Sequence, residues 1–358
     1  MKYQNIFTDL QIELPIIQAP MAGVSTPEMA AAVSNSGGIG SLGLGNAKPE
    51  SAFDQIQKTK SLTDRPFNVN FFCHAAPKLN HDVHQKWLEY LNVHFQAHDA
   101  LVPTVLNEIY QNFQSSEKML EVVLETKPAL VSFHFGAPSE HVVDKIHAYG
   151  GKVLVCVTNL REARLAATVH VDAIVAQGVE AGGHRGNFDA KEDDALGLFP
   201  LLRILARNSE LPIIAAGGIM DGVGIDAAMR LGAVGAQLGT AFILCPESSA
   251  TAAHRECLKG EGAARTAITA AISGRPARGI IGVFQRSIVP DGQRQIPDYP
   301  FAYDAAMKLH AAAKEKGIFS YSPNWAGQGA VLCREMPAFE LTRALAAEWA
   351  EARKSLLV

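Results

Sequence analysis

Residues 211–243, LPIIAAGGIMDGVGIDAAMRLGAVGAQLGTAFI, decide the fold. They read as a buried strand at 212–216, a glycine turn at Gly217 and Gly218, a helix at about 226–231, and a second buried strand at 236–243 interrupted by Gly239 and Thr240. Apolar runs bounded by glycine and separated by one helix are the pattern of a parallel strand–helix–strand unit whose sheet is covered on both faces. The two glycine turns then lie side by side at the strand ends. With no Cβ in the way, their N–H groups can surround a phosphate without help from Lys or Arg. In an eight-stranded barrel this is also where a phosphate site tends to lie.

Working outward, strands are expected at 16–21, 38–43, 67–72, 130–135, 152–157, 173–178, 212–218 and 235–243. Most precede a helical pattern. Thr26 and Pro27 followed by EMAAAVSNSGG supply a cap, a proline at the first helical position, an alanine-rich body and a glycine stop. Residues 139–149 and 159–168 repeat the plan. Strand-plus-helix units in this number predict an α/β fold of the (β/α)8 TIM-barrel class. Two stretches break the repeat. Residues 75–127 carry amphipathic segments around Trp87, Phe95 and Tyr110 and read as helices plus a loop over the barrel mouth. Residues 245–321 contain GRPARGIIG and IPDYPFAYDAAMKLH and read as a mostly helical cap, after which the chain returns through WAGQGA to a terminal helix at 337–357. The expected division is a barrel over 1–244 and 322–358, with its lid insertion at about 75–127, and a cap domain over 245–321.

The chain has 358 residues, 48% of them hydrophobic, enough for one large core. A formal net charge of −4 with no basic block argues against nucleic acid and anionic membranes and for a small-molecule partner. Asp9 and Glu13 interrupt any apolar leader, and no stretch has the length of a membrane span, so a cytoplasmic location is expected. Five cysteines without a C-x-x-C pair suggest neither a disulfide framework nor a thiolate metal site.

Several signals carry chemistry. Residues 38–43, GIGSLG, match G-x-G-x-x-G, but they follow a helix and are themselves the strand, the wrong context for a dinucleotide fingerprint. His81, His84, His94 and His98 include an i,i+4 pair, yet without H-E-x-x-H they read as a helix face, and no metal is expected. The loop Glu180-Ala-Gly-Gly-His184-Arg-Gly186 is different, because it follows the sixth strand at its carboxyl end, where barrel chemistry resides. His184 is therefore a candidate catalytic or binding group, the bland alternative being a histidine that ties the loop together. Asn70, His134, Gln177 and Thr240 recur at other strand ends and would suit a ring system rich in carbonyls and nitrogens, or else bond one another. Tyr299, Tyr303 and Lys308 lie in the cap, where phenols and an ammonium facing the mouth would suit an anion.

The blocks QAPMAGVSTPEMAAAVSNSGGIG, DAIVAQGVEAGGHRG, PIIAAGGIMDG, GAQLGTAFI and WAGQGA, in this order, closely resemble the FMN-dependent nitronate monooxygenases, formerly 2-nitropropane dioxygenases. FHFG with His134, the insertion with Tyr110, and YPFAYDAAMK are similar to the bacterial class I branch. The resemblance implies FMN held through Met21, Asn70, Gln177, Gly182, Gly217, Gly218, Gly239, Thr240 and Gln328. It implies His184 as the catalytic histidine, with His134, Tyr110, Tyr299, Tyr303 and Lys308 around the substrate. The reaction implied is oxidation of an alkyl nitronate such as propionate 3-nitronate by O2, via a flavin semiquinone, to a carbonyl compound and nitrite, by a monomer or homodimer. The first four blocks are shared with FMN-dependent NADH:quinone and enoyl-thioester reductases, which stand as the alternative. A non-catalytic barrel that binds a phosphate ligand is a more remote one.

Overall fold

The computed structural model describes residues 6–289 and 295–354. Eleven strands follow in chain order: β1 (Ile16–Gln18), β2 (Gly40–Gly43), β3 (Phe67–Phe72), β4 (Leu130–His134), β5 (Lys152–Val157), β6 (Ala173–Gln177), β7 (Gly183–His184), β8 (Ile213–Ala216), β9 (Gly235–Leu238), β10 (Thr266–Thr269) and β11 (Ala277–Ile280). Eight of them form one parallel sheet in the order β1-β9-β8-β6-β5-β4-β3-β2. Its ends meet. Gln18 N–H donates to the Ile39 carbonyl and Ile39 N–H to that of Ile16, both at 2.9 Å, and the ring closes as a (β/α)8 barrel.

The barrel strands are apolar on both faces because both are buried. Ile17, Leu130, Leu154, Ala173 and Ile214 form a cluster with Ile6 and Phe7 of the short helix Ile6–Asp9. On the other side, Val69, Val131, Val153, Ile174 and Ile213 pack with the surrounding helices, among them Pro27–Asn35 and Leu198–Asn208. A buried polar ladder crosses the first strands: Gln18 Oε1 accepts from Ser41 N–H at 2.8 Å, and Asn68 Nδ2 donates to Ser41 Oγ at 3.2 Å.

Where element boundaries differ from the sequence expectation, the cause is local. The helix after β8 starts earlier, as Gly222–Arg230, since the Asp221 side chain accepts from Gly224 N–H at 2.8 Å and caps it. The strand expected to run to 243 stops at Leu238, and a 3-10 turn, Thr240–Phe242, follows. The terminal helix expected over 337–357 runs Ala338–Lys354; positions 355–357 lie outside the described residues. Trp87 and Phe95 share one helix, His81–Gln96, whereas Tyr110 sits in the irregular chain beyond it. His84 of that helix stacks on Phe301 at 4.6 Å, and His94 Nδ1 lies 3.0 Å from the Tyr321 hydroxyl.

The lid helix and the later insertion share one core. Trp87, Leu91 and Phe95 pack with Phe284, Leu309 and Tyr321, the second of these from the helix Phe301–Glu315. Residues 245–321 also contribute the hairpin β10–β11, which pairs with β7 in a three-stranded sheet.

One contact tests the packing directly. A Cβ at Gly40 would lie 1.9 Å from the Ala30 carbonyl oxygen, so Gly40→Ala must push β2 and a helix apart. A loss of more than about 3 kcal/mol is expected in urea unfolding. At Gly262 the nearest atom would be Ile280 Cγ2 at 3.7 Å, and Gly262→Ala is expected to stay within about 0.5 kcal/mol of the parent.

Candidate active site

The carboxyl ends of the barrel strands open into a cleft of about 1470 Å³, measured up to its open mouth. On one side stand the glycine turns. Gly217 and Gly218 after β8 have φ of +119° and +69°, backbone that L side chains rarely adopt, and both line the cleft with no side chain to cover their backbone. Gly239 and Thr240 continue that wall from β9. Thr240 Oγ1 accepts from Gly327 N–H at 3.0 Å, drawing in the returning chain. Gln328 N–H donates to the Glu180 carbonyl at 2.9 Å. A Cβ at Gly182 would lie 2.5 Å from Gly327 N, so the two loops touch backbone to backbone. Glu180 in turn accepts from Leu198 N–H at 2.9 Å and ties its loop to the next helix.

The opposite wall is aromatic. His184 is held by the cap sheet, since β7 pairs antiparallel with β11, His184 opposite Ala277. Its carbonyl accepts from Gln177 Nε2 at 3.0 Å and His134 Nε2 at 3.2 Å, and its own Nε2 lies 2.9 Å from Ser273 Oγ. Around the imidazole stand Phe135, Tyr299, Tyr303 and Trp325, with ring centroids 5.2–6.0 Å away. Tyr299 is 4% exposed and its hydroxyl has no hydrogen-bond partner among the described residues. Tyr303 is hydrogen-bonded to the Trp325 side chain and stacks edge-on with Tyr110 at 5.6 Å.

Burial sets the ionisation of this wall. It lowers the His184 pKa to about 3, helped by His134 and Arg275. It lowers His134 to about 4, against the hydrogen bond to the His184 carbonyl and with help from Arg275 and Arg185. Tyr299 is raised well above its ordinary value, again by burial first and then by Tyr303 and Tyr110. Both histidines are neutral at pH 7, and no Lys, Arg, Asp or Glu is among the described residues that line the cleft.

Of the residues singled out in the sequence, Met21, Asn70, Tyr110, His134, Gln177, Gly182, His184, Gly217, Gly218, Gly239, Thr240, Tyr299 and Tyr303 all line this cleft. Asn70 donates to the Ser132 carbonyl and hydroxyl at 3.1 and 2.9 Å, leaving its Oδ1 without a partner among the described residues. Gln177 is more committed: its Oε1 already accepts from Arg185 Nη1 at 2.9 Å and Gly186 N–H at 2.8 Å. Two residues are not brought in. Gln328 is exposed, although Gly327 and Gly329 beside it line the cleft. Lys308 Nζ is held 2.6 Å from Asp304 one helical turn away, and Asp304 also accepts from Asn107 N–H at 2.8 Å. The ion pair lies within the cap helix, and it is the Asn107 hydrogen bond to Asp304 that fastens this helix to the lid chain.

The sequence reading missed four residues at or behind the wall. Arg185 is fully buried and pairs with Asp193 at 2.8 and 3.1 Å, locking the loop that carries His184; its signal was the arginine in GGHRG. Ser273 and Arg275 belong to the SGRPARG run. Arg275 lies 4.3 Å over the Phe135 ring, is bonded to the Asn187 and Phe188 carbonyls, and is lowered by burial to about 10. His74 lies 5.0 Å from Tyr299, buried, with neither ring nitrogen partnered among the described residues.

A barrel with a glycine-built wall, histidines that burial holds toward their neutral form and no charged side chain in the described lining is a small-molecule enzyme of the (β/α)8 class. The chain belongs to the nitronate monooxygenase family, whose model matches residues 4–348. It is 52% identical over 340 residues to the nitronate monooxygenase of Paraburkholderia phytofirmans, covering 95% of this chain and 93% of that one. It is 50% identical over 340 residues to that of Pseudomonas aeruginosa, covering 95% and 97%. Among solved structures, nitroalkane oxidase from Streptomyces ansochromogenes superposes with a TM-score of 0.90 at 38% identity, covering 98% of this chain and 99% of that one. FabK from Thermotoga maritima superposes with a TM-score of 0.74 at 28% identity, covering 99% and 98%. Among the described residues, no helix is long and apolar enough to cross a membrane.

The site has a stability consequence. His74, His134 and His184 titrate from a reference of 6.5 and fall to about 4, 4 and 3 in the fold, burial being the main cause in each. Between those limits the unfolded chain binds protons that the folded chain refuses. The stability is therefore complete above about pH 6.5 and is lost as pH falls through the window. The urea midpoint of the ligand-free protein is expected to drop from about pH 7 to about pH 5, with a shallower slope in His184→Asn; a flat midpoint would contradict these burial costs.

Proposed function

We propose that the cleft binds FMN and oxidises alkyl nitronates, propionate 3-nitronate among them, with O2, releasing a carbonyl compound and nitrite in the cytoplasm. The observation that carries this is the asymmetry of the cleft: glycine-rich backbone on one wall, an orphaned phenol and a neutral imidazole on the other, and no charged side chain on either among the described residues. The residues fit the cofactor. Gly217, Gly218, Gly239 and Thr240 offer a phosphate the amides of two adjacent strand ends. Met21, Asn70 and Gln177 line the part of the cleft that would face a flat ring, and the Asn70 Oδ1 is unpartnered there. When bound, FMN supplies the electron-accepting centre that oxidation of a nitronate carbon and reduction of O2 require.

The chain's own groups do the rest. The Tyr299 hydroxyl, buried and unpartnered, donates to an oxygen of the nitro group; a hydrogen bond to a charged acceptor is worth about 1.5–3 kcal/mol. Phe72, Tyr110, Tyr303 and Trp325 keep water from the reacting carbon. His184, uncharged, offers its ring as an acceptor beside the substrate and does not compete with Tyr299 for the anion as a cation would. We assign the barrel, over 1–244 and 322–358, the cofactor, and the cap, over 245–321, the substrate.

The test is an anaerobic titration of the purified protein, followed by absorbance, with propionate 3-nitronate and separately with NADH. Flavin reduction by the nitronate, none by NADH, and nitrite release on admitting air are expected. Bleaching by NADH without a response to nitronate would instead make the protein a reductase. Tyr299→Phe is expected to raise KM for the nitronate by about tenfold or more, while Lys308→Ala, away from the cleft, leaves it within about twofold.

A further inference from the structure

The turn Ser273-Gly274-Arg275 lies behind the aromatic wall, does not line the cleft, and yet grips the one histidine on which the site depends. Ser273 is fully buried and Arg275 nearly so. A serine hydroxyl has one proton to give. Here Ser273 Oγ donates it to the Arg275 carbonyl at 3.1 Å and accepts from Arg275 N–H at 3.3 Å. No other donor reaches that carbonyl among the described residues, so turning the proton toward His184 would leave a buried acceptor unpaired. Toward His184 Nε2, 2.9 Å away, Ser273 is then the acceptor, and Nε2 must carry the ring proton. Nδ1 has no partner among the described residues and is the nitrogen left for the cleft. His134 is fixed in the same sense, because its Nε2 meets a carbonyl, that of His184, and has to donate.

The charge of the turn acts in the same direction. Arg275 makes no ion pair among the described residues; its guanidinium is bonded to backbone carbonyls and lies over Phe135. The groups that face the His184 ring are His134 from β4, Tyr299 and Tyr303 from the cap, and Arg275 itself; Asp189, Glu162 and Asp298 act on Arg275 only from a distance. Among the described residues nothing anionic stands near enough to favour an imidazolium, and a fixed cation opposes it.

We propose that the Ser273–Arg275 turn is the positioning element of this site: Ser273, its own proton committed to the Arg275 carbonyl, holds the His184 proton on Nε2, and Nδ1 is thereby presented to the cleft as a lone-pair acceptor. The inference rests on His184 being the working histidine of the function proposed above. Ser273 and Arg275 touch neither substrate nor cofactor in this scheme. Their effect passes through the imidazole.

The test reads the ring directly. Holoprotein labelled with 15N-histidine is observed by long-range 1H–15N correlation, with His184→Asn assigning the resonance. A protonated Nε2 and bare Nδ1, unchanged between about pH 5 and about pH 8, are expected. Ser273→Ala is expected to mix the tautomers and lower kcat with nitronate about tenfold while KM moves less than about twofold, and Ser273→Thr to restore both. A proton on Nδ1 in the parent protein, or a Ser273→Ala spectrum identical to it, would overturn the proposal. Because the parent spectrum decides the matter without turnover, a correct tautomer in a protein inert to nitronate would sink the functional reading and leave this one standing.

Discussion

The pairing of Gly183–His184 with Ala277–Arg278 is the contact on which the rest of the site depends. It is made of backbone hydrogen bonds alone, and it joins a loop of the barrel to a hairpin almost a hundred residues later. Without it His184 would belong to a free glycine-rich loop, a poor platform for a group that must hold its place to a fraction of an ångström. With it, the histidine is a sheet residue. Arg185 on the far side of the same short strand pairs with Asp193, so the segment is clamped from both flanks.

The second constraint is the dryness of the cleft. Charged side chains are absent from its described lining, and the titratable ones are all pushed toward their neutral forms by burial. In such surroundings a hydrogen bond to an anion is worth more than in water, and an unpaired donor such as the Tyr299 hydroxyl is costly until something accepts from it. The cation that does stand nearby, Arg275, is set one layer back and bonded to carbonyls. An anion in the cleft would feel its field without forming an ion pair that burial would have to support.

The barrel was legible because its evidence is local and repeated. Apolar runs such as AIVAQ and KVLVCV, each followed by a helical pattern, leave little choice of fold, and the glycines at 217, 218 and 239 mark where the turns lie, though not that the last strand ends before Gly239. The glycine wall was legible for the same reason. What the sequence did not disclose depends on contacts between distant segments. Tyr299 and Tyr303 are spaced one helical turn apart in sequence, but the helix begins only at Phe301, and Tyr299 enters the cleft from the chain before it. Lys308 follows Tyr303 in the same cap stretch, and its identity alone does not say that Asp304, one turn away, takes its ammonium. Ser273 and Arg275 lie some ninety residues from His184, and only the hairpin brings them behind it. In every case a side chain's partner, not its own identity, determined its place.

The close approach of residues 180–182 to 326–328 has a bearing on how the molecule is made. The strand ends that bound the cleft are complete once β9 has formed, yet one edge of the site is the backbone of Gly327 and Gln328, hydrogen-bonded to Thr240 and Glu180. A chain still on the ribosome that has emerged as far as residue 300 has every barrel strand, but an unsealed cleft. Synthesis of the returning segment is therefore built into the assembly of the site, long after the last barrel strand has been made.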